Sequence, residues 1–198
     1  GGVDVAPSEN AIKAGSVPAV ADRKYDACYI GRLHYQKGVL ELVDIWEKVV
    51  AARQGAKLVM IGDGQLEDEV RAKIRAKNLE ENIELKGFLD GEKKHQLFMQ
   101  SRMVLHPATY DSGGMAAAEA MAWALPGVSF DLEALKTYYP KGMIKVAKGN
   151  LTQFAGAILN LLNDKGLYDI TARDARRLVL EEWNWEERAQ TIYRQIFG

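Results

Sequence analysis

Short apolar runs that stop at glycine or proline alternate with amphipathic stretches along most of this chain, and that alternation restricts the fold more than any other feature. The runs cover residues 25–30, 57–61, 82–86, 103–105, 128–130 and 143–146, with Gly31, Gly62, Gly87 and His106-Pro107 closing the first four. Each is too short for a helix and apolar enough for a strand covered on both faces. Residues 37–53, 66–77, 92–101 and 115–124 carry helical spacing between them; in the first, Leu40, Val43, Trp46, Val49 and Val50 make one stripe. From residue 151 the pattern is helical to the end, with breaks near Asp164-Lys165-Gly166 and Trp183-Asn184. Strands alternating with helices predict an α/β fold, a doubly wound parallel sheet of about six strands with helices on both faces. Residues 1–24, with Pro7, Gly15 and Pro18, are weakly patterned and read as a surface lead-in. Residues 25–182 read as the sheet domain. Residues 183–198 read as a C-terminal helix packing on that domain or toward a part of the protein outside this chain. Trp183, Trp185, Tyr193 and Phe197 in that segment read as docking and core residues.

One domain is the expectation for 198 residues, of which 47% are hydrophobic, enough for a sizeable core. Lys plus Arg number 26 against 27 Asp plus Glu, a net charge of −1, so nucleic acid and anionic membrane are not expected as main partners. Cys28 is the only cysteine; it excludes an internal disulfide, suits a reducing compartment and reads as a small buried hydrophobe. No apolar stretch approaches the roughly 18 residues that span a bilayer. The first residues also lack the charged and apolar regions of a signal peptide. A soluble cytoplasmic protein, with at most peripheral membrane contact, is the expectation. The opening Gly1-Gly2-Val3-Asp4 looks more like an interior loop than a natural start.

In such sheets ligands bind beyond the carboxyl ends of the strands, near the switch in strand order. That directs attention to the loops at 31–38, 62–65, 87–91, 106–114 and 131–140. In Tyr110-Asp111-Ser112-Gly113-Gly114-Met115 two glycines open a helix, and their exposed amides with the helix dipole suit an anion such as phosphate. Asp111 or Ser112 can equally cap that helix, and the residues leave both readings open. Glu119 lies in the small-sided run Ala116-Ala117-Ala118-Glu119-Ala120-Met121-Ala122, which must pack closely. A carboxylate there needs a partner: a pair of ribose hydroxyls, or a backbone group or Arg of its own protein. Arg32 and Lys37, between Gly31 and Gly38, sit poorly for the dipole of the following helix. They are better placed to face a diphosphate, the alternative being two solvated cations.

Several chemistries are disfavoured. Gly62-Asp63-Gly64 lacks the third glycine of a dinucleotide fingerprint, because position 67 is Glu. There is no phosphate-binding Gly-x-x-x-x-Gly-Lys-Ser/Thr loop. His34, His95, His106 and Cys28 lack metal-ligand spacing, so no metal site is expected. Asp111-Ser112-Gly113-Gly114 echoes the nucleophile segment of trypsin-like proteases, but those enzymes are all-β and this segment opens a helix.

Taken in order, the motifs are Gly31-Arg32-Leu33 with Lys37-Gly38, Ile61-Gly62-Asp63-Gly64, Gly87-Phe88-Leu89, His106-Pro107-Ala108, and Asp111 followed by Glu119-Ala120-Met121-Ala122 and Leu125-Pro126. Together they resemble the C-terminal domain of glycosyltransferase family 4, retaining enzymes of the GT-B fold. The likeness runs from about Tyr25 to Trp183-Asn184-Trp185-Glu186. It implies a Rossmann-like half of a GT-B fold that binds a UDP-, GDP- or ADP-sugar without a metal or other cofactor. It implies hexosyl transfer to an acceptor carbohydrate or lipid-linked sugar. On that likeness Arg32 and Lys37 would neutralise the donor diphosphate, while Gly113, Gly114 and Met115 would offer amides to phosphate and sugar. Glu119 would hold the ribose hydroxyls, and Gly87, Phe88 and Leu89 would lie near the base. Asp111 would take the first place of the family's Glu-x7-Glu motif (119 − 111 = 8) and contact hydroxyls of the transferred sugar. Arg32, Lys37, Asp111 and Glu119 would then form the catalytic set. Front-face attack, with the leaving phosphate helping to deprotonate the acceptor, requires no protein nucleophile, and fixed cations stabilise the departing charge.

The chain departs from the family pattern twice. Asp111 replaces a glutamate, shortening the reach by about 1.5 Å. Leu132-Glu133-Ala134-Leu135-Lys136-Thr137-Tyr138-Tyr139-Pro140 replaces a glycine-rich loop, a bulkier segment expected to alter donor choice or to close the site only with a partner domain. The resemblance also implies an N-terminal acceptor domain outside this chain, without which nucleotide is bound but sugar is transferred poorly. Two alternatives stand beside this reading. One is a noncatalytic nucleotide-binding or interaction module of the same fold, which the Asp111 substitution favours. The other is a GT-B nucleotide-sugar epimerase, which the Arg/Lys and Glu-Ala-Met-Ala pattern fits less well.

Overall fold

The computed structural model describes residues 2–111 and 113–197. Gly1, Ser112 (the second candidate cap), Gly198 and the side chain of Phe197 lie outside the described residues. Six strands form one parallel sheet: β1 (Ala27–Ile30), β2 (Leu58–Ile61), β3 (Ile83–Leu85), β4 (Val104–His106), β5 (Gly127–Phe130) and β6 (Met143–Val146). Their order is β3-β2-β1-β4-β5-β6, the doubly wound arrangement, with the switch between β1 and β4. All four residues of β2 are buried, as are Ala27, Cys28 and Tyr29 of β1, which is why these runs are continuously apolar. Burial pushes the Cys28 thiol up to about 12, so it stays neutral and packs as a small hydrophobe.

The helices are α1 (Ala6–Lys13), α2 (Val39–Ala52), α3 (Glu67–Ala76), α4 (Gly91–Met99), α5 (Met115–Met121), α6 (Glu133–Tyr138), α7 (Leu151–Asn163), α8 (Lys165–Leu178) and α9 (Trp185–Phe197). Helix α2 buries Val39, Leu42, Val43, Ile45, Trp46 and Val49, and lies between α3 and α7. Helix α5 packs on β4 and against α8. The break at Asp164 is a cap, since its carboxylate accepts from the Leu167 amide at 2.9 Å and starts α8 directly after α7. A π-helical turn, Val179–Trp183, follows α8 and buries Val179 and Trp183. No helix among the described residues is long and apolar enough to cross a membrane.

Two segments differ from their sequence reading. Residues 6–13, within the weakly patterned surface lead-in, form the helix α1. Its one buried residue is Ser8, so the helix has no apolar stripe to reveal it. Val3 and Val5 before it are buried, and Val3 exchanges backbone bonds with the C-terminal segment, donating to Trp183 O at 2.7 Å and accepting from Trp185 N at 3.0 Å. Residues 133–138 form α6, which is too short to display a repeat. The aromatic residues of the last segment divide: Trp183 is buried in the domain, whereas Trp185 and Tyr193 lie exposed on α9.

Two close backbone approaches hold the carboxyl-end loops. Gly38 has φ 66°, and a Cβ there would lie 2.0 Å from the Pro107 carbonyl oxygen. Gly62 has φ 133°, and its Cβ would lie 2.0 Å from the Gly31 oxygen. Gly15 supplies a control, since it has φ 67° but nothing within 4 Å of the added atom. Gly15→Ala is expected to lose about 1–2 kcal/mol, the cost of left-handed backbone alone. Gly38→Ala is expected to lose at least about 3 kcal/mol, because strain and a backbone clash add. Urea unfolding of the two variants measures this, and equal losses would contradict the packing described.

Candidate active site

The loops after β1, β2 and β3 are tied to one another by their backbones. Gly31 N donates to Ile61 O at 3.0 Å, Leu33 N to Asp63 O at 2.7 Å, and Gly62 N to Gly87 O at 2.7 Å. The Tyr29 hydroxyl donates to Arg32 O at 2.9 Å and fixes the turn that carries Arg32. Above them lies a pocket of about 290 Å³ whose lining includes Arg32, Asp63, Phe88, Leu89, Lys94 and Glu119. Phe88 is 70% exposed and offers a ring face at the rim. Gly87 is not part of the lining; its left-handed backbone, φ 67°, and its bond to Gly62 aim the Phe88-Leu89 segment.

Glu119 is not buried as its small-sided helix suggests, its side chain being 39% exposed. Its partner within the protein is a lysine of α4 rather than an arginine, with Lys94 Nζ at 2.7 Å. Burial opposes the Lys94 charge, but the contacts with Glu119 and Asp90 outweigh it and push the ammonium pKa up. A carboxylate has about four acceptor positions, so one lysine leaves Glu119 able to take hydroxyl donors.

A second, larger cleft of about 940 Å³ is lined by Lys37, Asp111, Gly113, Gly114 and Met115, with Tyr138, Lys141 and Trp183 on the far wall. Arg32 and Lys37 thus border different cavities, the first with Glu119 and the second with Asp111. The Asp111 side chain is only 6% exposed. Its Oδ2 lies 2.5 Å from Lys37 Nζ, and its Oδ1 accepts from the amides of Gly113 at 3.1 Å and Gly114 at 3.0 Å. His106 Nε2, buried at the end of β4, is 3.1 Å from the same Oδ2. The imidazole N–H does not point along that line, so this contact is electrostatic rather than a directed hydrogen bond. Burial alone would raise the Asp111 pKa, but His106, Lys37 and the Gly114 amide more than offset it and hold the carboxyl well below the usual range. Asp111 closes a side-chain turn ahead of α5, whose N-cap position is Gly114 with no side-chain cap bond.

The segment replacing the family's glycine-rich loop buttresses this turn. Tyr139 donates its hydroxyl to Gly114 O at 2.7 Å, and the Leu135 and Tyr139 side chains press on Gly114, which has φ 61°. His106, Lys94 and Tyr139 thus contact candidate residues, contacts that the sequence reading does not foresee. His106 alone carries a local signal, as the polar residue closing a buried strand before Pro107. Lys94 meets Glu119 and Tyr139 meets Gly114 only through tertiary packing. Among the described residues, no group of three or more His, Cys, Asp or Glu could hold a metal ion.

The Glycosyl transferases group 1 family matches residues 15–178. The chain belongs to that family. An uncharacterized glycosyltransferase of Methanocaldococcus jannaschii is 27% identical over 173 residues, covering 86% of this chain and 44% of its own length. This group 1 glycosyltransferase chain spans less than half the length of the curated relatives it matches. Anabaena HepE, solved in complex with UDP and glucose, superposes with a TM-score of 0.79 at 18% identity, covering 98% of this chain and 55% of that one. A crystallised C-terminal domain of a group 1 family protein from Francisella tularensis gives 0.70 at 18% identity, covering 87% of this chain and 91% of that one. These structural likenesses establish the fold, the Rossmann-like half of a GT-B architecture.

Because the folded Asp111 pKa is depressed, its stabilisation is present above the ordinary carboxylate range and fades as pH falls below it. Asp111→Asn is expected to be less stable than the parent by about 2 kcal/mol, a value reduced for the partial exposure of Lys37. That gap should stay flat between about pH 5 and 8 and close progressively below about pH 4. Denaturant unfolding of both proteins across pH measures it, and a gap that widens on acidification would contradict the assignment.

Proposed function

We propose that this chain is the donor-binding domain of a retaining glycosyltransferase of family 4, transferring a hexosyl group from a nucleoside diphosphate sugar to an acceptor carbohydrate or lipid-linked sugar. The observation that carries the proposal is the single pocket that Arg32, Phe88, Leu89 and Glu119, from separate parts of the chain, line together. In this reading the base lies against Phe88 and Leu89, and Glu119 accepts from the ribose hydroxyls. Arg32 binds the diphosphate in a bidentate manner, and Lys37 reaches it from the adjoining turn. Bond cleavage places charge on the leaving phosphate, and these two fixed cations stabilise it without a metal. Front-face attack then lets the departing phosphate take the acceptor proton.

The complex of HepE with UDP and glucose supports a nucleotide sugar as donor, and the family membership supports transfer. The short coverage of the relatives supports an acceptor site formed partly outside these residues. The exposed Trp185, Ile192 and Ile196 of α9 suit a contact with that other part. A cytoplasmic location, with at most peripheral membrane contact, belongs to the same proposal.

A thermal-shift panel of UDP, GDP and ADP, with their glucose and mannose conjugates, tests the reading, since a ligand of the native state raises the melting temperature. One base is expected to stabilise the chain, and Arg32→Ala to weaken that nucleotide by about tenfold or more. Glu119→Ala is expected to weaken the ribonucleotide by about tenfold yet leave the 2′-deoxyribonucleotide within about twofold of the parent, because a hydroxyl contact is what it removes. No shift with any nucleotide, or an Arg32→Ala variant that binds like the parent, would sink the proposal.

A further inference from the structure

Asp111 is already engaged by groups of its own protein. Lys37 Nζ and His106 Nε2 face Oδ2 at 2.5 and 3.1 Å, and the amides of Gly113 and Gly114 take Oδ1. Because His106 makes no directed hydrogen bond, Lys37 and the two amides fill three of the about four acceptor positions, and a ligand that claims Lys37 must compete with Asp111. The amides are fixed by the turn that Leu135 and Tyr139 brace, and His106 is fixed in β4. Only Lys37, on a flexible four-carbon stem, can be exchanged. The shorter side chain also makes sense here. Aspartate reaches the amides two and three residues ahead in a tight side-chain turn, whereas an extra methylene would carry the carboxylate past them.

We propose that Asp111 is the resident counter-ion of Lys37: in the free protein it holds the charge that a donor diphosphate would otherwise claim. This rests on the donor-site reading above. Lys37 meets the diphosphate only by loosening its contact with Asp111, and the incoming phosphate lies near a carboxylate that keeps its charge. Both effects oppose donor binding. The pair therefore keeps a poorly solvated lysine compensated while the site is empty, at the expense of affinity when it is filled.

The sign of three substitutions separates this role from the alternatives. Asp111→Asn keeps an oxygen for the amides but removes the charge, and Asp111→Ser removes the charge with a smaller side chain, so one variant can stand in if the other fails to fold. Both are expected to melt lower than the parent yet bind more tightly, by about threefold or more, the nucleoside diphosphate of the UDP, GDP and ADP panel that the parent binds. Its glucose conjugate should gain by the same factor, within about twofold, while Asp111→Glu, which keeps the charge, should show no gain. Calorimetry on the 198-residue chain reads all of these constants. A diphosphate affinity left unchanged beside a conjugate weakened about tenfold would show that Asp111 reads the sugar, and would overturn the proposal while leaving the donor site standing. Equal weakening of both ligands would overturn it as well, by making Asp111 a cap the site requires. A parent that binds no nucleotide would remove the donor-site reading and this inference together.

Discussion

Backbone packed directly on backbone at the carboxyl ends of the strands is the contact on which the rest of this molecule depends. A parallel sheet covered on both faces has room for ligands only at its loop edges, and here three loops are drawn together so tightly that glycine is obligatory at their crossing points. Gly62 sits against the Gly31 carbonyl, Gly64 against that of Leu33, and Gly38 against that of Pro107. Loops held in this way have little freedom to rearrange, so Arg32, Lys37 and Phe88 start from fixed positions above a core that includes Trp46, Tyr29 and Phe98. The cost of exposing backbone in such tight turns is offset by the bonds they exchange, Gly62 to Gly87 and Leu33 to Asp63 among them.

Charge in the site is organised as internal pairs. Lys37 holds Asp111 and Lys94 holds Glu119, so that each carboxylate the resemblance assigns to the donor already has a cation of its own protein. Arg32 differs, since it makes no ion pair among the described residues and stands in the pocket wall beside Glu119. Under the proposed reading, recognition of a diphosphate would be an exchange of partners, with Arg32 as a cation whose charge is not already matched. A guanidinium suits that task because its planar fork can grip phosphate oxygens without giving up an existing contact.

Much of this could be read from residue order, for physical reasons that also mark where reading stops. The run at 57–61 contains β2 because a buried parallel strand leaves no choice of side-chain polarity, and the run at 143–146 coincides with β6, an edge strand that buries Met143 and Val146. The doubly wound sheet follows from the alternation of strands with helices. Helix α1 escapes because its buried residue is a serine, and α6 because six residues cannot show a period. What the structure adds to the candidate site is its division: Arg32, Phe88, Leu89 and Glu119 line one pocket, and Lys37, Asp111, Gly113, Gly114 and Met115 another. Which charge meets which was not legible. The Lys94–Glu119 contact joins α4 to α5, and no local spacing announces it; His106 and Asp111 share one loop, but their order alone does not show that the two side chains meet.

The central claim is that a nucleotide sugar is held at the carboxyl end of the sheet by the walls of these two cavities. Backbone amide chemical shifts of the 198-residue chain, followed by NMR during titration with UDP-glucose and its GDP and ADP counterparts, test it most directly. The account predicts that a binding nucleotide sugar perturbs Arg32, Gly62, Phe88, Gly114 and Glu119 while leaving the opposite end of the sheet, around Ala21, Arg102 and Tyr168, unchanged. Perturbations confined to that opposite end, or absent with all three nucleotides, would contradict it.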